Sequence, residues 1–220
     1  MSCFLLIPGA GGAGWYWHRV VAELRLAGHV AIAPDLPGDD PSAGPREYAD
    51  LVVDAAAGQD DVVLVAQSMG GFTAVPACRR LPVRRLILLN AMIPAPGETA
   101  GDWGEHTGSE PARVAAARAG GYPEAFDAET YFFHDVPPEV VAAAEALKRP
   151  ELDVAFEQPC DFERWPEVET TVLCGRDDRL FPAAFQRRVA RERLGLDARE
   201  IPGGHLAALS QPQAVTAALL

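Results

Sequence analysis

The sequence predicts an α/β fold built on one doubly wound, mostly parallel sheet. Short apolar runs recur along the chain, each stopped by small or turn residues, and six of them have the length of a buried strand. Between most of them lie stretches whose apolar residues are spaced by three and four, the period of a helix packed along one side. Strands that alternate with helices join by right-handed crossovers, which makes the sheet parallel and covers both its faces. At 220 residues the chain is long enough for one domain with a substantial core and short for two.

The first strand is CFLLIP (residues 3–8), followed by a loop of glycines and alanines at 9–14. A helix is expected over 15–27, with Gly28 as its C-cap. HVAIAP (29–34) is the second strand and leads into the turn Asp35-Leu36-Pro37-Gly38. An Ala-rich helix over 47–58 ends at a glycine. DVVLVAQSMGGFT (61–73) contains the third strand, and helix-compatible sequence continues to about residue 80. RLILLN belongs to the fourth strand (84–90), TVLCG to the fifth (170–175), and 198–202 is a short sixth, with a helix expected over 182–194. Residues 91–166 break the alternation, with helices expected near 111–119 and 138–147. An excursion of that size at the C-terminal edge of a sheet reads as a lid or binding element within the one domain. Its many aromatic residues, among them Trp103, Phe132 and Phe133, argue against a disordered spacer.

Net charge is −12, with 31 acidic against 19 basic residues, and no dense basic cluster is present, so nucleic acid and anionic membrane are poor partners. No apolar run approaches the roughly 20 residues of a membrane span. MSCFLLIPG has no basic n-region and reads as a first strand instead of a signal peptide. Cys3, Cys78, Cys160 and Cys174 show no C-x-x-C and no regular spacing; they read as reduced core thiols of a cytoplasmic protein.

Ser68 stands at the sharp turn from the third strand into a helix, a position that pushes a hydroxyl out above the sheet. The turn needs small neighbours, and Ala66, Gly70 and Gly71 supply them. A serine hydroxyl becomes a nucleophile only when a base takes its proton and an acid orients that base. Of the five histidines, His18 and His29 fall on the wrong end of the sheet and His106 and His134 in the insertion. His205 follows the sixth strand in Ile201-Pro202-Gly203-Gly204-His205, where two glycines let the backbone turn the imidazole inward. Asp177 and Asp178 follow the fifth strand and point opposite ways, so one can reach His205; the alternative for Asp178 is an early helix cap.

A rival reading starts from residues 9–14, which match G-x-G-x-x-G after a strand, with Asp35 about 20 residues on as a ribose-binding acid of an NAD-type oxidoreductase. Trp15-Tyr16-Trp17 would crowd the approach of a pyrophosphate, and Asp35 lies in a stiff turn between Pro34 and Pro37. A Walker A loop is excluded because Trp15 stands where lysine is required.

Ser68, Asp177/Asp178 and His205 come in the chain order of the α/β-hydrolase fold. LLIPGAGGAGWYW, PDLPG, AQSMGG, GRDDRLFP and PGGHLAALSQP resemble that family's landmarks over all of the chain except the insertion, and in particular its small methylesterase and hydroxynitrile-lyase-like branch. The pattern G-x-x-D-x-x-x-P falls on Gly175, Asp178 and Pro182, which selects Asp178. Pro8 replaces the usual histidine before Gly9, and Ala66 replaces the first elbow glycine. Leu206 stands where the lyases carry lysine and Ala10 where they carry threonine, which disfavours cyanohydrin cleavage. The resemblance implies a serine hydrolase of small or medium hydrophobic carboxylic esters, with Ser68 as nucleophile, His205 as base and Asp178 as orienting acid. The first strand should then lie between the second and third, bringing Ala10 beside Ser68 so that the Ala10 and Met69 N–H groups form an oxyanion hole. Met92 and Trp103 are expected in the substrate pocket. This chemistry needs no cofactor and no metal. A non-catalytic ligand-binding homologue is the third class.

Overall fold

The computed structural model describes residues 1–220. Its strands are β1 (Cys3–Ile7), β2 (Val30–Ile32), β3 (Val62–Gln67), β4 (Val83–Leu89), β5 (Glu169–Gly175) and β6 (Arg199–Ile201). They form one sheet in the order β2-β1-β3-β4-β5-β6, and each neighbouring pair is parallel. The connections therefore leave β1 in opposite directions, and the ends of β1 and β3 open a crevice between them. The edge strands β2 and β6 are only three residues long and stop shortly before Pro34 and Pro202, which have no N–H for a ladder.

The helices are α1 (His18–Leu26), α2 (Pro45–Ala55), α3 (Gly70–Cys78), α4 (Ala100–Thr107), α5 (Ser109–Gly120), α6 (Pro138–Ala146), α7 (Asp153–Glu157), α8 (Ala183–Leu194), α9 (Ala207–Ser210) and α10 (Pro212–Leu219). Side chains alternate between two core layers. Leu5, Ile7, Val62, Leu64 and Ala66 meet Val52, Phe72 and Val189 of α2, α3 and α8. Phe4, Leu6, Val63 and Val65 meet Val20, Leu24 and Val215 of α1 and α10. Each fully buried leucine, isoleucine, valine or phenylalanine contributes about 1.5–3 kcal/mol, so Leu64→Ala, with no access to solvent, should cost about 2–5 kcal/mol.

Local sequence explains several boundaries. The helix expected over 15–27 opens as a 3-10 turn, Gly14–Trp17, with the Gly14 N–H donating to the Asp35 carboxylate at 2.8 Å. The helix α2 starts two residues earlier than expected because Pro45 takes its first position, where the missing N–H costs nothing. Pro76 lies inside α3 and leaves the Phe72 carbonyl without its helical donor; the Cys160 thiol donates to it at 3.4 Å.

The insertion between β4 and β5 divides in two. Its ends join the main core, through Ile93, Trp103, Ala155 and Phe162. Its middle, with α5, α6 and a π turn at Glu129–Phe133, brings Phe132 and Phe133 over the end of β3. The helices α4, α7, α9 and α10 are too short or too uniform in alanine to stand out by periodicity.

Candidate active site

The elbow is two residues long: β3 ends at Gln67 and α3 begins at Gly70. Ser68 has φ 53°, a left-handed conformation that costs a non-glycine residue about 1–2 kcal/mol. The surroundings enforce it. A Cβ on Gly70 would lie 2.6 Å from the Pro8 carbonyl oxygen, and one on Gly71 would collide with the Met92 carbonyl. Ala66 sits in register between Ile7 and Leu88, with room for its methyl group.

Ser68 Oγ donates to His205 Nε2 across 3.1 Å, and His205 Nδ1 donates to Asp178 Oδ2 across 3.0 Å. The His205 and Asp178 side chains are 2% and 0% exposed, so water does not compete for this bond. Asp178 Oδ1 accepts the N–H groups of Leu180 and Phe181, each at 2.9 Å. Gln186 Nε2 donates to Asp178 Oδ2 at 3.0 Å. Bonds of this kind fix the orientation of the carboxylate against the imidazole. The neighbouring Asp177 turns outward, half exposed, and pairs with Arg176 at 3.3 Å. The rings of Phe132 and Phe181 flank the imidazole with centroids 5.3 and 5.2 Å away.

One residue ties the two loops together. Asn90, fully buried at the end of β4, has φ 47°. Its Nδ2 donates to the carbonyls of Gly204 and His205 at 3.0 and 3.1 Å, while its Oδ1 accepts the Gly175 N–H at 2.6 Å. Sequence reading passed over Asn90, Gln186 and the pocket residue Tyr16. A buried asparagine ending a β-strand was the available signal for the first.

On the other flank of Ser68, Gly9 approaches so closely that a Cβ there would lie 2.9 Å from the Ser68 Cβ. The N–H groups of Ala10 and Met69 have no acceptor within the protein, and Met69 stands at the N-terminus of α3, the end of a helix that favours negative charge. A cavity of about 110 Å³ opens beside Ser68, lined by Ala10, Tyr16, Ser68, Phe132, Phe133 and His205 among others. Ala10, Tyr16, Phe132 and Phe133 also line an adjoining cavity of about 260 Å³ that runs beneath α6.

Met92 and Trp103 lie away from both cavities, contrary to expectation. Trp103 is only 2% exposed, packs on Phe181 and Phe185 and donates its indole N–H to the Ile93 carbonyl at 3.0 Å. Met92 packs in the main core, and its N–H donates to the Ser68 carbonyl at 2.9 Å. Met92 follows β4 while the chain is still inside the core, and Trp103 re-enters the core on α4 after the exposed Pro96 and Gly97.

The glycine loop is occupied by the protein's own groups. The Gly11 N–H donates to Glu151 at 2.5 Å and the Gly14 N–H to Asp35 at 2.8 Å, so Asp35 holds the loop and the amides that a pyrophosphate would use face carboxylates. Burial holds the Glu151 carboxyl above its ordinary range, against the lowering effect of its bonds from Tyr48 and Gly11. No group of three or more His, Cys, Asp or Glu side chains is arranged to hold a metal ion.

The alpha/beta hydrolase family model matches residues 4–219. The chain belongs to that family. A probable esterase of Oryza sativa subsp. indica, PIR7A, is 37% identical over 110 residues, a match that spans 44% of this chain and 42% of the rice protein. Salicylic acid-binding protein 2 of Nicotiana tabacum is 26% identical over an alignment of 250 positions, covering 99% of this chain and 95% of the tobacco protein. Among solved structures, a variant of polyneuridine aldehyde esterase superposes with a TM-score of 0.80 at 22% identity, over 99% of this chain and 97% of that one. The Arabidopsis methylesterase MES16 gives a TM-score of 0.77 at 19% identity, over 100% and 97%. Within this hydrolase family the likeness runs to the methylesterase-like branch; at these identities the two structures speak for the fold.

Proposed function

We propose that this α/β hydrolase is a carboxylic ester hydrolase acting through Ser68, His205 and Asp178. The observation that carries the reading is the unbroken chain of hydrogen bonds from Ser68 Oγ, at the cavity, through His205 to the buried Asp178. Ser68 attacks the ester carbonyl while His205 Nε2 takes its proton, and Asp178 holds the imidazole tautomer and stabilises the imidazolium. The carbonyl oxygen, now an anion, is received by the free N–H groups of Ala10 and Met69. His205 returns the proton to the leaving alcohol, and a water molecule repeats the sequence on the acyl-enzyme. The cycle requires no metal or cofactor.

The aromatic lining of the two adjoining cavities supports a hydrophobic small-molecule substrate. The cavity at Ser68 is about 110 Å³ and the next about 260 Å³; together they reach the lower range of small-molecule sites. One arm of the ester stays short beside His205 and the other runs past Tyr16 and Phe133. The middle of the insertion acts as the lid over that second arm.

A fluorophosphonate probe tests the reading. Labelling at Ser68, lost in Ser68→Ala together with hydrolysis of a p-nitrophenyl ester, is the expected result. A folded wild-type protein that takes no label and hydrolyses no ester would leave a binding module instead.

A further inference from the structure

The glycine loop at 9–14 carries Ala10, and two of its amides are held by carboxylates from distant parts of the chain. Gly11 and Gly12 have φ 83° and 65°. Glycines in that region have many competing conformations, so a loop built from them needs external ties to hold one shape. The Gly12 N–H is bonded within the loop to the Gly9 carbonyl at 3.1 Å, and Gly14 to Asp35. Gly11 is tied to the insertion: Glu151 Oε2 accepts its N–H at 2.5 Å, and Glu151 Oε1 accepts the Tyr48 hydroxyl of α2 at 2.5 Å.

The backbone around Glu151 is seated on the same loops. A Cβ on Gly11 would lie 2.9 Å from the Arg149 carbonyl oxygen, and one on Gly38 would lie 2.7 Å from that of Pro150. The Leu152 N–H donates to the Gly38 carbonyl at 2.9 Å. The peptide plane that carries the Gly11 N–H is the one that follows Ala10. A carboxylate on that N–H therefore restrains ψ of Ala10, while the adjoining plane that carries the free Ala10 N–H is held through its Gly9 carbonyl by the Gly12 N–H; the two planes meet at the Ala10 Cα.

We propose that Glu151 is a positioning residue for the oxyanion loop: carried by the insertion and anchored by Tyr48, its carboxylate holds the Gly11 amide and so aims the Ala10 N–H at the site of the developing oxyanion. This rests on the ester hydrolase reading. It makes the insertion a structural part of the hole as well as a cover for the pocket. Losing an oxyanion donor outright commonly costs about 10²–10³ in kcat; losing the brace on one should cost less.

The test compares wild type, Glu151→Ala, Glu151→Gln and Tyr48→Phe as full-length proteins. Measured are kcat and KM on a p-nitrophenyl ester, affinity for an alkyl boronic acid that forms a tetrahedral anion on serine, and Tm. Glu151→Ala should lower kcat by about 10–100-fold, weaken the boronate by a similar factor and change KM by less than about threefold. Glu151→Gln should recover most of both, because its Oε1 still accepts from Gly11 while its NH₂ donates to the Tyr48 oxygen. Tyr48→Phe should show a smaller loss of the same kind, and it serves if Glu151→Ala does not fold.

A Glu151→Ala protein with lowered Tm but unchanged kcat and boronate affinity would overturn the proposal, as would a Gln variant no better than Ala. If wild type takes no fluorophosphonate label at Ser68, the ester hydrolase reading is what fails. Hydrogen exchange at the Gly11 amide then decides the brace alone: faster exchange in Glu151→Ala upholds it, and unchanged exchange removes it.

Discussion

On one side of Ser68 the loops bearing Asp178 and His205 are joined by Asn90, and Gln186 braces Asp178; both side chains stay buried in the main body of the protein. On the other side the glycine loop is joined to Glu151, which arrives from the insertion after a detour of 140 residues in sequence. The acid–base side is thus held mostly from the main body, with a tie to the insertion where Asp135 accepts the Gly204 N–H at 2.7 Å. The oxyanion side depends on a docked segment, and its ordering is separable from that of the core. The two sides differ in how much of their support comes from the insertion.

The sharpest way to break the first side is Asp178→Asn. The amide leaves the fold in place but presents the wrong partner to His205 Nδ1, and hydrolysis should fall by about 10⁴-fold. A loss under tenfold would mean that another group orients the imidazole. Asn90→Gly comes next. Glycine keeps the left-handed backbone but abandons the Gly175 N–H and the carbonyls of residues 204 and 205. At about 1–3 kcal/mol for each of these three buried groups left unpaired, and about 2–4 °C per kcal/mol for a chain of this length, Tm should drop by at least about 6 °C and kcat by roughly tenfold. If Tm falls while kcat holds, Asn90 supports the fold and not the pairing of the two loops.

Asp177→Asn is the control for both. This carboxylate is half exposed, pairs with Arg176 and accepts the Gly203 N–H in a long bond of 3.4 Å; exposed pairs are worth at most about 1 kcal/mol and an asparagine oxygen can still accept from Gly203, so activity should stay within about threefold of wild type.

The smallest effect belongs to the core away from the site. Burial pushes the Cys160 thiol up to about 12 and those of Cys78 and Cys174 to about 11, from an ordinary 9.0. Above pH 9 the unfolded chain releases these protons while the folded chain keeps them. Stability therefore falls as pH rises from about 9 towards 11–12. Melting curves across that interval should slope less steeply for Cys160→Ala, and equal slopes would remove burial of the Cys160 thiol as a cause.

The contrast between the two sides also marks where sequence reading stops. The elbow at Ser68, the strand runs and the loop of His205 are written in consecutive residues, because each follows from the local conformation of a few neighbours. Asp178 was reached by motif spacing, and its neighbour Asp177 separates from it only through exposure. Glu151 has no local signature: it is one more glutamate in a Pro-rich stretch until the chain folds back onto Gly11. The misplacement of Met92 and Trp103 has the same cause. Aromatic content showed that the insertion packs against something, but only the path of the chain after β4 shows that its first helix sinks into the core while Phe132 and Phe133 reach the pocket.

The short contact between residues 11 and 151 bears on how such enzymes are re-engineered. A chimaera that keeps Ser68, His205 and Asp178 but imports a foreign segment for residues 91–166 would discard the carboxylate that holds the Gly11 amide, and with it the brace proposed above. Its designer would see turnover fall and blame the new binding surface. Restoring a single acid at the seam, opposite the tyrosine hydroxyl, would be the repair to try first.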